Sequence, residues 1–93
     1  DSKWEAERYG QLSSMALAGV VRDLERQVKY EIVVNNYKIC NYIADFVYTL
    51  VHENGKEEKI VEDAKGVQTT DFKLKMKLVK ALFDIDIKIS KKK

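Results

Sequence analysis

Asp45, Asp63 and Lys65 are the residues of this sequence whose types and spacing best suit chemistry. Asp45 lies in Tyr42-Ile43-Ala44-Asp45-Phe46, the other two in Val61-Glu62-Asp63-Ala64-Lys65-Gly66. Two carboxylates and a lysine on neighbouring strands are what magnesium-dependent phosphodiester hydrolysis needs, because the metal takes hard oxygen ligands and charge on a phosphate must be stabilised. In a strand, residues two apart share a side, so Asp63 and Lys65 face one way while Glu62 and Ala64 face the other. The alternative is that all three face solvent in cross-strand ion pairs. Asp45 speaks against that, since it interrupts an apolar and aromatic stretch where a lone carboxylate is disfavoured by strand propensity and desolvation.

Positioning these residues requires strands and helices that must be read from periodicity, because proline is absent and glycine scarce. Glu5, Tyr9, Leu12 and Ala16 recur at helical spacing, and Gly19 stands where a helix would stop, which predicts a helix over 2–18. Val20, Val21 and Leu24 then read as a charged connection. Val28, Tyr30, Ile32 and Val34 alternate as a strand, Asn35-Asn36 suits a tight turn, and residues 37–51 form a β-branched and aromatic second strand. Asn54-Gly55 is a strong hairpin signal leading to a third strand over 58–64. Gly66 closes it. Thr69 or Thr70 would cap a helix over 71–83, and Ile85, Ile87 and Ile89 alternate with Asp84, Asp86 and Lys88 as a last strand. The predicted order is helix, three strands joined by hairpins, helix, strand, in one mixed sheet flanked by helices. Pairing about Asn54-Gly55 would set Asp45 opposite the end of the third strand.

The chain has 93 residues, room for one core. We therefore expect a single domain over 1–90 and a basic tail at 91–93. No apolar run approaches the roughly 20 residues that a bilayer span needs, and no signal-peptide pattern is present, so an intracellular protein is expected. Cys40 is the single cysteine, which excludes an internal disulfide or a thiolate zinc site. Cys40 with His52 could form a nucleophile and base, but a half-buried strand cysteine and a turn histidine are the simpler reading. Lysine and arginine exceed the acids by 17 to 15, too small an excess to imply nucleic-acid binding by itself.

The order of elements, with Asp45, Asp63-Ala64-Lys65 and Glu5 placed in it, resembles the PD-(D/E)XK nuclease superfamily. Its core is a restriction-endonuclease-like α/β arrangement of helix, three strands, helix and strand. More narrowly, Asp1-Ser2-Lys3-Trp4-Glu5-Ala6, the segments around Asp45 and Asp63, and Phe72-Lys73-Leu74-Lys75-Met76-Lys77-Leu78 resemble short phage-encoded proteins of that superfamily, similar to Holliday-junction resolvases. The likeness covers nearly the whole chain, and four separated motifs in order are more specific than Asp-x-Lys alone. Ala44 stands where the superfamily carries a proline before its first acid. The chain begins at Asp1 without methionine, and a short upstream segment is expected from relatives.

The resemblance implies a metal-dependent DNA endonuclease of phage recombination or packaging, with branched DNA among its expected substrates, in the cytoplasm of a bacterial host. Asp45 and Asp63 would bind Mg²⁺ or Mn²⁺ with the Ala64 carbonyl as a further oxygen, and Lys65 would orient the attacking water and stabilise the transition state. Glu5 would be an additional acid of the metal site; equally, Ser2-x-x-Glu5 is a capping box. On the second helix, Phe72, Met76, Val79 and Phe83 form one apolar stripe and Leu74, Leu78 and Leu82 another. Lys75 falls between them, either snorkelling from an apolar surface or, with Thr69 or Thr70, meeting substrate phosphates. Lys73, Lys77 and Lys80 form a solvated face that could add a salt-dependent DNA contact. Trp4, Tyr9 and Tyr30 read as core or interface residues. DNA and a second copy of the chain are the expected partners, with no membrane. The alternatives are a non-catalytic nucleic-acid- or protein-binding module of the same fold, or a purely structural protein.

Overall fold

The computed structural model describes residues 2–92, with the side chain of Ser2 outside the described set. Helix α1 (Ser2–Leu17) is followed by β1 (Val21–Val34), β2 (Tyr37–Val51), β3 (Glu57–Ala64), helix α2 (Thr70–Phe83) and β4 (Lys88–Ser90). The strands form one mixed sheet in chain order, β1 to β3 antiparallel and β3 to β4 parallel, with α2 as the crossover. The element order is the one the sequence predicts. Lys93 and Asp1 fall outside the described residues.

Turn chemistry explains the hairpins. Asn35 and Asn36 have φ of 50° and 68°, the left-handed pair that a two-residue hairpin turn demands and that asparagine tolerates. At the second hairpin Gly55 has φ of 85°, and Asn54 Oδ1 accepts from the Lys56 N–H at 2.9 Å. Helix α2 starts where Thr69 Oγ1 accepts from the Phe72 N–H at 3.1 Å, which selects Thr69 over Thr70 as the cap.

Two elements depart from expectation. The 20–24 segment is not a connection: β1 begins at Val21, whose side chain is buried, and the ladder to β2 absorbs the charged residues through an irregularity between Arg22 and Glu25. Charge hid the strand because a bulge breaks the alternation that periodicity needs. At the other end, Ile85, Ile87 and Ile89 do turn inward to the α2-side core, but ladder pairing exists only from Lys88 to Ser90.

The sheet separates two cores. On one face α2 packs Phe72 and Val79 against Ile32, Tyr42, Ala44, Val47 and Val61. On the other, α1 packs Trp4 and Leu12 against Val21, Phe46, Tyr48 and Ala64. The buried stripe of α1 is displaced from the one the spacing suggests: Trp4, Arg8, Leu12 and Met15 face the sheet, while Ala16 is exposed and Tyr9 lies over Phe46 with ring centres 6.2 Å apart. On α2 the second stripe is largely open, with Leu74 and Leu82 exposed.

Arg8 reaches the sheet because Glu62 waits there with no exposed surface. The guanidinium donates through Nε to Glu62 Oε2 at 2.7 Å and through Nη2 to Oε1 at 3.0 Å, and the Tyr48 hydroxyl donates to Oε1 at 2.5 Å. Burial pushes the Glu62 carboxyl up, but the bonds from Arg8 and Tyr48 outweigh it and hold the group below its ordinary value. Its stabilising contribution is therefore present above the ordinary glutamate range and is lost as pH falls through the lowered folded value. Arg8→Met is expected to cost about 3 kcal/mol at pH 7 by leaving a buried carboxylate without its cation, and Arg8→Met/Glu62→Leu to recover most of that loss. Urea unfolding of the two variants beside the parent checks both values.

Candidate active site

The strands that carry the candidate residues part company where those residues stand. Strand β2 pairs with β3 from Val51↔Glu57 to Phe46↔Glu62, and the ladder stops there, although continuing the same register would set Asp45 opposite Asp63. That is the register the Asn54-Gly55 turn predicts. Beyond this point β2 runs on with β1 alone.

What replaces the ladder is a reciprocal lock. The Asp45 N–H donates to Asp63 Oδ1 at 3.1 Å, and the Ala64 N–H donates to Asp45 Oδ2 at 2.9 Å. The Tyr42 hydroxyl donates to Asp63 Oδ2. Both carboxylates are buried, Asp45 at 8% exposure and Asp63 at 0%, which overturns the solvent-facing alternative. Burial pushes the Asp63 carboxyl up. The bonds from Tyr42 and Asp45 and the charge of Lys65 oppose this, the neighbouring Asp45 charge reinforces it, and the result is a pKa raised to about 6.

The backbone around Asp45 is irregular. Ala44 packs with the α2-side core and Phe46 with the α1-side core, so side-chain alternation reverses across Asp45. Gln27, which stands across from Asp45 on β1 between the pairs Arg26↔Phe46 and Val28↔Ala44, has φ of 53°. Its side chain donates to Glu5 Oε2 at 3.0 Å, so Glu5 is held beside the β1–β2 ladder at the level of Asp45 without joining the carboxylate pair. The capping-box alternative for Glu5 involves the Ser2 side chain, which is outside the described residues.

Lys65 follows the lock on the α2 side, with Nζ 5.1 Å from the centre of the Phe72 ring and its N–H bonded to the Ser90 carbonyl. Lys65, Thr69 and Lys75 share one cleft of about 270 Å³ with Asn41, Tyr42 and Phe72. Lys75, half-buried, is thus brought beside Lys65 in a cleft whose walls do not include Asp45 or Asp63, while Thr69 spends its oxygen on the helix cap. Thr70, Lys73 and Lys77 are exposed on α2, and Lys80 is drawn away to Asp84 and Asp86. Four larger hollows, about 650, 620, 410 and 380 Å³, lie elsewhere and contain none of Asp45, Asp63, Lys65 and Lys75. Chemistry, not size, picks out the smaller cleft.

The profile of the family described as "Protein of unknown function (DUF1064)" matches residues 1–92. The chain belongs to the DUF1064 family. No curated protein and no solved structure matches it.

Several members of this DUF1064 site escape a sequence reading. Tyr42 is three residues before Asp45, a spacing that would put it on the opposite side in a regular strand; only the reversal at Asp45 lets it reach Asp63. Gln27 carries no signal beyond being a polar strand residue. Arg8 falls one position away from the assumed helix stripe. Cys40 and His52 do not form a nucleophile and base: Cys40 packs on the α2-side core, and His52 pairs with Glu58 at the second hairpin. Trp4 donates to the Ser90 carbonyl at 3.0 Å, and Tyr30 stacks on Tyr42. Among the described residues no helix is long and apolar enough to cross a membrane.

Because the folded pKa of Asp63 lies above its ordinary 3.8, the folded chain holds more protons than the unfolded one between about 4 and about 6, and stability falls as pH rises through that window. Asp63→Asn keeps an acceptor for the Asp45 N–H and removes the buried charge. Its melting temperature is expected to exceed the parent's at pH 8 by on the order of 5 °C, the gap closing towards pH 4. Thermal melts of both proteins across that range check the sign.

Proposed function

We propose that the chain is a metal-dependent endonuclease that hydrolyses phosphodiester bonds in DNA, on a restriction-endonuclease-like core. The observation that carries this reading is the interlocked Asp45–Asp63 pair at the point where β2 and β3 separate, with Lys65 following on the same side as Asp63.

The donor set fits a hard divalent cation. Mg²⁺ is held by one or two carboxylates and retains several waters, so two aspartates and the Ala64 carbonyl suffice, although no three acidic, histidine or cysteine side chains cluster among the described residues. A buried carboxyl pushed up to about 6 beside a second carboxylate is a position that a cation would relieve. When bound, the ion would neutralise charge on a phosphoryl oxygen and make a water more acidic. The chain's own groups do the rest. Asp45 and Asp63 would hold the ion, with Tyr42 fixing the Asp63 carboxylate. Lys65 orients the attacking water and counters charge gathering on the phosphate. Lys75, backed by Lys73 and Lys77, meets neighbouring phosphates and Glu5 serves as an outer acid through Gln27. A homodimer and a branched substrate in phage DNA metabolism belong to the same reading, the dimer being supported by the open apolar surface of Leu74, Leu82 and Phe83 on α2.

One observation favours a second reading. Asp63 has no exposed surface and both its oxygens already accept hydrogen bonds, as expected of a carboxylate that serves the fold of a non-catalytic DNA-binding module. Cleavage of linear, branched and single-stranded DNA with Mg²⁺ or Mn²⁺ separates the two. The parent is expected to cut, and Asp63→Asn and Lys65→Ala to lose at least about 100-fold. A parent that binds DNA and cuts none of these substrates would sink the enzyme reading. Mn²⁺ in about hundredfold excess over its Kd is also expected to raise the parent's melting temperature by on the order of 10 °C and to leave Asp45→Asn/Asp63→Asn unchanged.

A further inference from the structure

A residue lining the cleft beside Lys65 carries a polar atom that the fold leaves unanswered. Asn41 Oδ1 is buried and has no hydrogen-bond partner among the described residues. Buried polar atoms are nearly always paired, so an isolated one calls for a partner that the fold itself does not provide. Asn41 lies on β2 four residues before Asp45, in the stretch that has left β3 behind, and it lines the same cleft as Lys65 and Lys75.

The other walls describe the partner. Lys65 and Lys75 supply two ammonium groups against the single carboxylate of Asp71, and the N-terminus of α2 adds its positive end at Thr69. Tyr42 and Phe72 contribute aromatic surface. An anion joined to a planar group with hydrogen-bonding edges fits such a wall set. At about 270 Å³ the cleft has the volume of roughly nine waters, at ~30 Å³ each, enough for one nucleobase and too little for a base pair. A side-chain amide offers one acceptor and one donor side by side, which matches the Watson–Crick edge of any base. That edge is free only when the base is unpaired.

We infer that this cleft is a pocket for one unpaired nucleotide of the substrate strand, with Asn41 meeting the base edge and Lys65 and Lys75 the flanking phosphates. The inference rests on the DNA part of the proposed function and narrows its substrate to DNA carrying an unpaired nucleotide beside the site of cleavage. Because the amide suits every base, selectivity is for structure and not for sequence.

The test is fluorescence anisotropy with metal-free Asp63→Asn protein on three DNAs of one sequence: a continuous duplex, a duplex with a single-nucleotide bulge, and the same bulge with an abasic residue. The bulge is expected to bind about tenfold tighter than the continuous duplex, and the abasic bulge to lose that gain. Adding Asn41→Ala should abolish the preference while changing the continuous-duplex affinity less than about twofold. Lys75→Ala should weaken all three and flatten the salt dependence. Equal binding of the three DNAs, or none, overturns the inference. So does a preference that survives both the abasic residue and Asn41→Ala, in which case Asn41 merely holds a water. The abasic arm needs no variant at position 41 and stands even if Asn41→Ala fails to fold. Cleavage by the parent without a bulge preference removes the pocket and leaves the nuclease; a bulge preference without cleavage does the reverse.

Discussion

Everything proposed for this protein depends on two carboxylates standing in for a backbone ladder. Where β2 and β3 would go on pairing, the Asp45 and Ala64 N–H groups are answered by the side chains of Asp63 and Asp45. A sheet that simply stopped would leave buried donors unpaired, which is costly. The aspartates remove that cost and let the strands separate without a gap in hydrogen bonding. The same arrangement places negative charge at the fork, and so the geometry that ends the sheet also brings the two carboxylates together.

The two faces of the sheet support this fork differently. On the α1 face, Glu62 is neutralised by a two-point contact with Arg8 and by Tyr48, so the residue next to Asp63 is fully compensated and fixes the strand to the helix. On the α2 face, Asp63 has a tyrosine, a backbone amide and a more distant lysine, and stays undercompensated. Two acids adjacent in sequence thus have opposite electrostatic fates, set by which helix each one faces. Stability is assigned to one side and unspent charge to the other.

Much of the architecture was legible in the sequence because it is written in local chemistry. Asn35-Asn36, Asn54-Gly55 and Thr69 each act within four residues, and the second of these also fixes the register that brings Asp45 and Asp63 together. Long-range irregularity was not legible. The strand start at Val21 is masked by a bulge, the reversal of alternation at Asp45 has no signature in residue type, and the Arg8–Glu62 contact joins positions 54 apart in the chain. The candidate acids could be named from composition and spacing; their partners Tyr42 and Gln27 could not, because each acts through a backbone distortion that only the folded sheet displays.

The final strand has only three residues, yet it closes the sheet behind Asp63. Its Ser90 carbonyl accepts from both the Lys65 N–H and the Trp4 indole, which ties the first helix, the last strand and Lys65 at one atom. So short an element has little stability of its own, and local opening there would be far easier than global unfolding. Lys65 is thereby fastened to one of the most easily frayed parts of the sheet. Amide exchange at Lys65 would report the chain's readiness to open at this end of the sheet long before the two cores come apart.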